Sequence, residues 1–396
     1  MADSQIIPND MRSQRIEWIP EIRGFLALYV VGHHAVLNID HSGTHDVLWR
    51  VLDALFGWGH MRVDVFFVLS AFCLALPLPR QRHFGDLKAF MLRRSARLLP
   101  TYYVACVVSF VLATWVIDAE SGTHWDVSLP LTTGGLLTHA LLIHQWWPQY
   151  AAQMNHALWS IGVEYQLCLL LPVFDYVCRR FGPWKTVVLF TIVGYAGWKC
   201  SVPLGFPNPS PWGASIYYVS LFAIGVATAY LYKGSEADLR PRGNDLVAIS
   251  SLFALMIIWV LAEELRGGYV TLQLLSFFVG IATACLLLWT RTRAPGPTKA
   301  PRWLRKALRF IGDRSYSLYL IHAPMLQLVW LHVVRPMQLR SAGQQAMWMI
   351  GVGAFVSVLS GLMLYAGVER HSVTWSRHLG RQRQLTASAS AEPLVA

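Results

Sequence analysis

The sequence predicts an all-α protein, a polytopic membrane bundle of about ten transmembrane helices. Three features carry that expectation. Over 396 residues, 55% are hydrophobic and only 14% are charged, against roughly 25% charged in an ordinary soluble domain. Apolar windows long enough to cross a hydrocarbon core of about 30 Å recur along the chain. The basic residues fall in a few loops rather than over a whole surface.

The windows lie near 18–37, 60–78, 100–117, 156–178, 184–200, 213–232, 245–262, 269–290, 316–334 and 344–368. Many of the 17 tryptophans, among them Trp49, Trp58, Trp146, Trp147, Trp212 and Trp375, stand at the ends of these runs, where amphipathic rings settle at headgroup level. An eleventh apolar stretch, 134–147, is short and carries His139 and His144. The charge of the loops bears on it, because short cytoplasmic loops carry the excess of Lys and Arg. With a cytosolic N-terminus and no crossing at 134–147, the inside loops receive 26 of the 33 basic residues. A crossing there would invert every later loop and turn the cluster from Arg291 to Arg314 outward. The stretch is therefore expected to be re-entrant or interfacial on the outer face, with both termini cytosolic and the inner membrane as the location.

The net charge of +11 is explained by this orientation. No interleaving of basic and aromatic residues makes a stacking platform, so nucleic acid is not an expected partner. The first 17 residues lack a short apolar core and cleavage site, so no removable signal is expected. The domain reading is a cytosolic segment 1–17, one membrane domain 18–370, and a cytosolic, disordered tail 371–396 whose end is small and polar. All six cysteines lie inside apolar segments without metal-type spacing, and are expected to be packing residues, with a nucleophilic Cys73 as the alternative. No metal is expected.

Ionisable side chains inside a lipid-spanning segment cost several kcal/mol, so each is a functional candidate. Arg23 and His34 are eleven residues apart, which at about 100° per residue returns to the same helix face some 16 Å further on. His156, Ser160 and Glu164 repeat at four-residue spacing and share a face, as do Ser315, Tyr319 and His322. These three stripes can meet within the membrane. Asp64 opens the second span. Each residue alone also has an ordinary reading: Arg23 snorkels to the headgroups, a histidine donates to a carbonyl, Tyr319 anchors the interface. Arg94 and Arg97, three apart on a cytosolic helix, suit a phosphate-rich ligand, or anchor the positive inner face.

Five segments resemble the acyltransferase family 3 membrane enzymes. IRGFLALYVVGHH is similar to that family's Arg and His separated by ten residues, with Arg23 and His34 in the two places. RVDVFFVLSAF resembles VDxFFxLSGF, RRSARLLPTYY resembles RRxxRLxPxY, LWSIGVEYQ resembles LWSLxVEEQ, and SYSLYLIHAP resembles SYSLYLxHxP. The departures are Arg62 for a usual Gly, Ala71 for the Gly of LSG, and Tyr165 for the second Glu of VEE. No fused extracellular hydrolase-like domain is expected after residue 383.

The resemblance implies a membrane O-acyltransferase that moves an acetyl or other short acyl group from acyl-CoA, most simply acetyl-CoA, to a hydroxyl of a glycan or glycosylated acceptor. His34 is then the general base. Glu164 or Asp64 orients its imidazole, Arg23 binds donor or stabilises charge, and Arg94 and Arg97 hold the donor's phosphates, with Tyr319 and His322 beside it. Rival readings are a proton-coupled transporter, which matching pairs of broken helices would favour but which are not found, a non-catalytic scaffold in polysaccharide export, and O-acylation of a small metabolite.

Overall fold

The computed structural model describes residues 16, 18–39, 46–59, 61–78, 84–117, 119–201, 216–235, 271–291 and 300–389, with isolated positions between 239 and 251. The described residues are helical, joined by short turns. Local chemistry sets the helix ends. Pro20 occupies the first turn of Ile19–Leu37, where its missing N–H costs nothing. Asp46, Asp86, Thr132 and Ser341 each accept the backbone N–H three residues on, from Trp49, Ala89, Gly135 and Gln344. Gly182 closes Leu171–Phe181 at φ +89°, a conformation that costs glycine little, and Pro183 opens the next helix.

Five of the described helices are long and apolar enough to cross a membrane: Val47–Ala75, Leu87–Ile117, Leu274–Arg291, Ser315–Met337 and Ala342–Arg381. The bent pair Trp159–Leu169 and Leu171–Phe181, at 51°, makes a sixth if it is one span. The expected count of about ten thus stands at five or six on length and apolarity. The shortfall has causes: Ile19–Leu37 carries Glu21, Arg23, His33 and His34, Tyr218–Lys233 has only 16 residues, and the window 245–262 falls almost wholly outside the described residues. The 134–147 stretch becomes the eight-residue helix Thr133–Ala140, a turn, and the 3-10 turn His144–Trp146. Eight residues rise about 12 Å, too little to cross. The helix Val47–Phe56, its Val47, Val51 and Leu55 exposed, lies outside the expected windows.

Small residues bring helices together where the site is built, as lipid-embedded interfaces favour. A Cβ on Gly24 would lie 2.0 Å from the Leu308 carbonyl oxygen, and one on Gly312 would lie 1.7 Å from that of Pro20. This contact presses Arg302–Gly312 against the first helix, and Glu21 pairs across it with Arg305 and Arg309, both at 3.1 Å. Gly225 lets Tyr218–Lys233 approach Met61–Ala75, its Cβ position only 2.4 Å from the Val68 carbonyl oxygen. Phe67, Phe72, Leu221 and Phe222 fill that crossing. Outward-facing Phe25, Val107, Trp115 and Phe355 are exposed, as a lipid-facing surface requires.

Candidate functional site

The three stripes meet. Ser315 accepts a hydrogen bond from the Arg23 guanidinium at 3.2 Å, Ser160 and Tyr319 bond through their hydroxyls at 2.8 Å, and the His34 and His322 rings bond at 2.7 Å. The His156 ring lies 5.0 Å from that of His34.

Between these helices lies a cavity of about 210 Å³ lined by Arg23, Ser70, Arg94, Arg97, Glu164 and Tyr319 among others. Drug-sized ligands occupy roughly 300–1,000 Å³, so this space suits a slender chain. Arg94 is ion-paired with Glu164, and Ser70 donates to the same carboxylate at 2.6 Å. Arg97, one helical turn beyond Arg94, makes no ion pair among the described residues. Cys73 also lines this space.

Tyr319 also sits beside a cluster of histidines, its ring 5.6 Å from that of His322. The bonds there assign the tautomers. His322 Nδ1 lies 2.7 Å from the Tyr319 carbonyl oxygen, which only accepts, so Nδ1 carries the proton and Nε2 of the neutral ring presents its lone pair. His34 Nδ1, facing that lone pair, must donate. The His34 Nε2 lone pair is left for chemistry. His33 is committed elsewhere, its Nδ1 lying 2.7 Å from the Phe56 carbonyl oxygen. His124 enters from the 3-10 turn His124–Ser128, stacked 6.2 Å from His34. Burial pushes its imidazole down to about 4, against an opposing pull from Asp126. Its turn is tied down by Thr123, which donates to Gln327 at 2.9 Å, and by Ser121, which accepts from Gln327 at 2.7 Å.

Several expected roles are redistributed. Glu164 does not orient the His34 imidazole, because it is bonded to Arg94 and Ser70. Asp64 does not either: it is buried, faces Ser276, and leaves Oδ2 without a hydrogen-bond partner among the described residues. The partner of His34 is His322, expected beside the donor. Tyr319 and Arg23 both line the cavity. Asp175 is structural, bonded to Arg179 at 2.8 Å and to Tyr230.

Three residues escaped the sequence reading. Ser70 sits inside the LSAF segment and His124 in a loop. Buried Glu369 accepts from the Ser317 backbone at 3.1 Å and from its hydroxyl at 2.5 Å, bracing the SYSLYL helix. Its signal is the acid that closes the apolar window 344–368. No group of three or more His, Cys, Asp or Glu side chains among the described residues is arranged to hold a metal ion.

Comparison with known proteins agrees with the motifs. A family profile described as an acyltransferase domain matches residues 16–366. The chain is 25% identical to the peptidoglycan O-acetyltransferase OatA of Listeria monocytogenes, over 69% of this chain and 46% of that protein. It is 24% identical to the O-acetyltransferase OatA of Staphylococcus aureus, over 68% and 46%, and 21% identical to a putative O-acetyltransferase of S. aureus strain COL, over 81% and 53%. The chain thus spans about half the length of the curated relatives it matches. No solved structure matches it. With five motifs in order and a profile running from the first helix to Tyr365–Glu369, this multi-pass membrane protein belongs to acyltransferase family 3.

Proposed function

We propose that the protein is an O-acetyltransferase of glycans, taking its acetyl group from acetyl-CoA on the cytosolic side of the inner membrane. About ten spans with both termini cytosolic give the required orientation. One observation supports this reading: Tyr319 lines the arginine-bearing cavity and lies 5.6 Å, ring to ring, from His322, whose ring bonds that of His34.

Arg97 and Arg23 supply uncommitted positive charge for the donor's phosphates, and Arg94 is held in place by Glu164. The pantetheine arm occupies the cavity and brings the thioester toward Tyr319. A sugar hydroxyl is a weak nucleophile near neutral pH and needs a base within hydrogen-bond reach. His34 Nε2 takes the hydroxyl proton as the oxygen attacks the thioester carbonyl. The tetrahedral intermediate collapses, the C–S bond breaks, and the proton on His34 passes to the departing thiolate. His322 holds the tautomer throughout, the positioning role that a third group plays in a catalytic triad.

The names of the relatives support a glycan acceptor, of which peptidoglycan is one. The test is transfer of radiolabelled acetyl from acetyl-CoA to glycan acceptors by the purified chain in nanodiscs. Label in the glycan that is lost on mild alkaline treatment, as an O-ester must be, is expected. Absence of transfer from acetyl-CoA, with transfer from another acetyl donor, would overturn the donor assignment.

A further inference from the structure

Among the described residues Arg62 is a strongly basic group near the histidine cluster that the chemistry above leaves unused. It stands in the first turn of Met61–Ala75 and is only 5% exposed. Among the described residues none of its three guanidinium nitrogens meets a well-aligned hydrogen-bond acceptor, and Tyr29 is the neighbour that favours its charge. Its face lies 3.5 Å over the Tyr29 ring, and the Tyr29 hydroxyl donates to the Leu55 carbonyl, which holds that ring as a shelf. Stacking satisfies the face of a guanidinium and leaves its in-plane N–H donors open. Asp64, two residues on, projects from another side of the helix and faces Ser276. An arginine does not shed its proton to escape burial, so an uncompensated charge here is costly unless a ligand completes it.

Its position says which ligand. Ser70, at the donor cavity, is eight residues further along the same helix, about 12 Å away. Arg62 instead sits at the histidine end. Gly59, whose carbonyl accepts from the Arg62 backbone N–H at 3.3 Å, packs beneath His33 so closely that a Cβ there would lie 1.8 Å from the ring. Arg62 is also within electrostatic reach of His322. The donor's phosphates have their own arginines at the far end.

We propose that Arg62 selects the acceptor: its open guanidinium edge takes an oxyanion, carboxylate or phosphate, borne by the glycan, and so places a neighbouring hydroxyl against His34. The consequence for turnover rests on the acetyltransferase reading, but the anion site does not. A bidentate grip on a planar carboxylate is what this side chain provides and lysine does not.

The test is equilibrium binding by saturation-transfer NMR to the full chain in phosphatidylcholine nanodiscs, with methyl glucoside, methyl glucuronide and glucose 6-phosphate as matched probes. An anionic probe should bind at least about ten-fold more tightly than the neutral glucoside, as expected of a charge-assisted contact. Which anion wins distinguishes carboxylate from phosphate. Arg62→Gln should reduce it to the glucoside level, and Arg62→Lys should keep part of the preference. Arg62→Gln should also melt no lower than the parent, because it removes an uncompensated charge. Equal or absent binding of all three probes, a preference that survives Arg62→Gln, or a lowered melting temperature in that variant would each overturn the proposal. Acetyl transfer is measured separately: lost transfer with the anion preference intact sinks the acetyltransferase reading and leaves the site.

Discussion

Replacing His34 or its neighbour His33 by alanine separates catalysis from packing, because the two rings are committed differently. His34 gives its Nδ1 proton to His322 and keeps the Nε2 lone pair. His33 is bonded to the Phe56 carbonyl and packed on Gly59. A general base contributes about 10²–10⁴-fold, or about 3–5 kcal/mol of barrier. His34→Ala should therefore lose at least two decades of turnover at unchanged abundance. His33→Ala loses the hydrogen bond to the Phe56 carbonyl, a net of about 0.5–1.5 kcal/mol, drawn from folding rather than the barrier. It should melt a few degrees lower and turn over normally once folded. His322→Ala should behave like a milder His34→Ala, since a group that sets a catalytic tautomer is worth up to about 10⁴-fold. The assay is acetyl transfer per folded enzyme, counted by in-gel fluorescence after size exclusion. A dead His33→Ala with an active His34→Ala would refute both the tautomer argument and the role of the shared face.

Three further outcomes follow from the geometry. Arg97→Ala should raise the donor Michaelis constant about ten-fold or more with little change in melting temperature. Arg94→Ala should do so and also destabilise the protein, because it strands Glu164; unchanged donor dependence in both would make them membrane anchors. In a cysteine-free background, cysteine at exposed Glu120 should react with an impermeant maleimide from outside intact cells and cysteine at Lys306 should not, with the reverse pattern inverting the orientation. Ser128, in the same loop as Glu120, is fully buried and unsuitable. Gly312→Val should fail to accumulate, since its Cβ would lie 1.7 Å from the Pro20 carbonyl oxygen; wild-type abundance would contradict that contact.

The one-dimensional pattern determined what does not depend on partners. Apolar runs of membrane-crossing length specify helices wherever backbone groups cannot reach water. Helical spacing places Arg23 with His34, and Ser315 with Tyr319 and His322, on common faces because the rise and turn of a helix are constants. The short 134–147 stretch reads as non-crossing from its length and the loop charges together. Spacing along one helix carries no information about which helix lies opposite, and there only the tertiary structure decided. Glu164 reads as a candidate partner for His34, yet the fold turns it to Arg94 and Ser70, while His322, read as donor-side, holds the imidazole. Span lengths were blurred for a related reason: Glu21, Arg23, His33 and His34, the ionisable residues that make the first helix a candidate, are those that lower its apolarity. His124, Glu369 and Arg62 owe their significance to burial, and burial depends on which segments pack together, which spacing along one helix does not report.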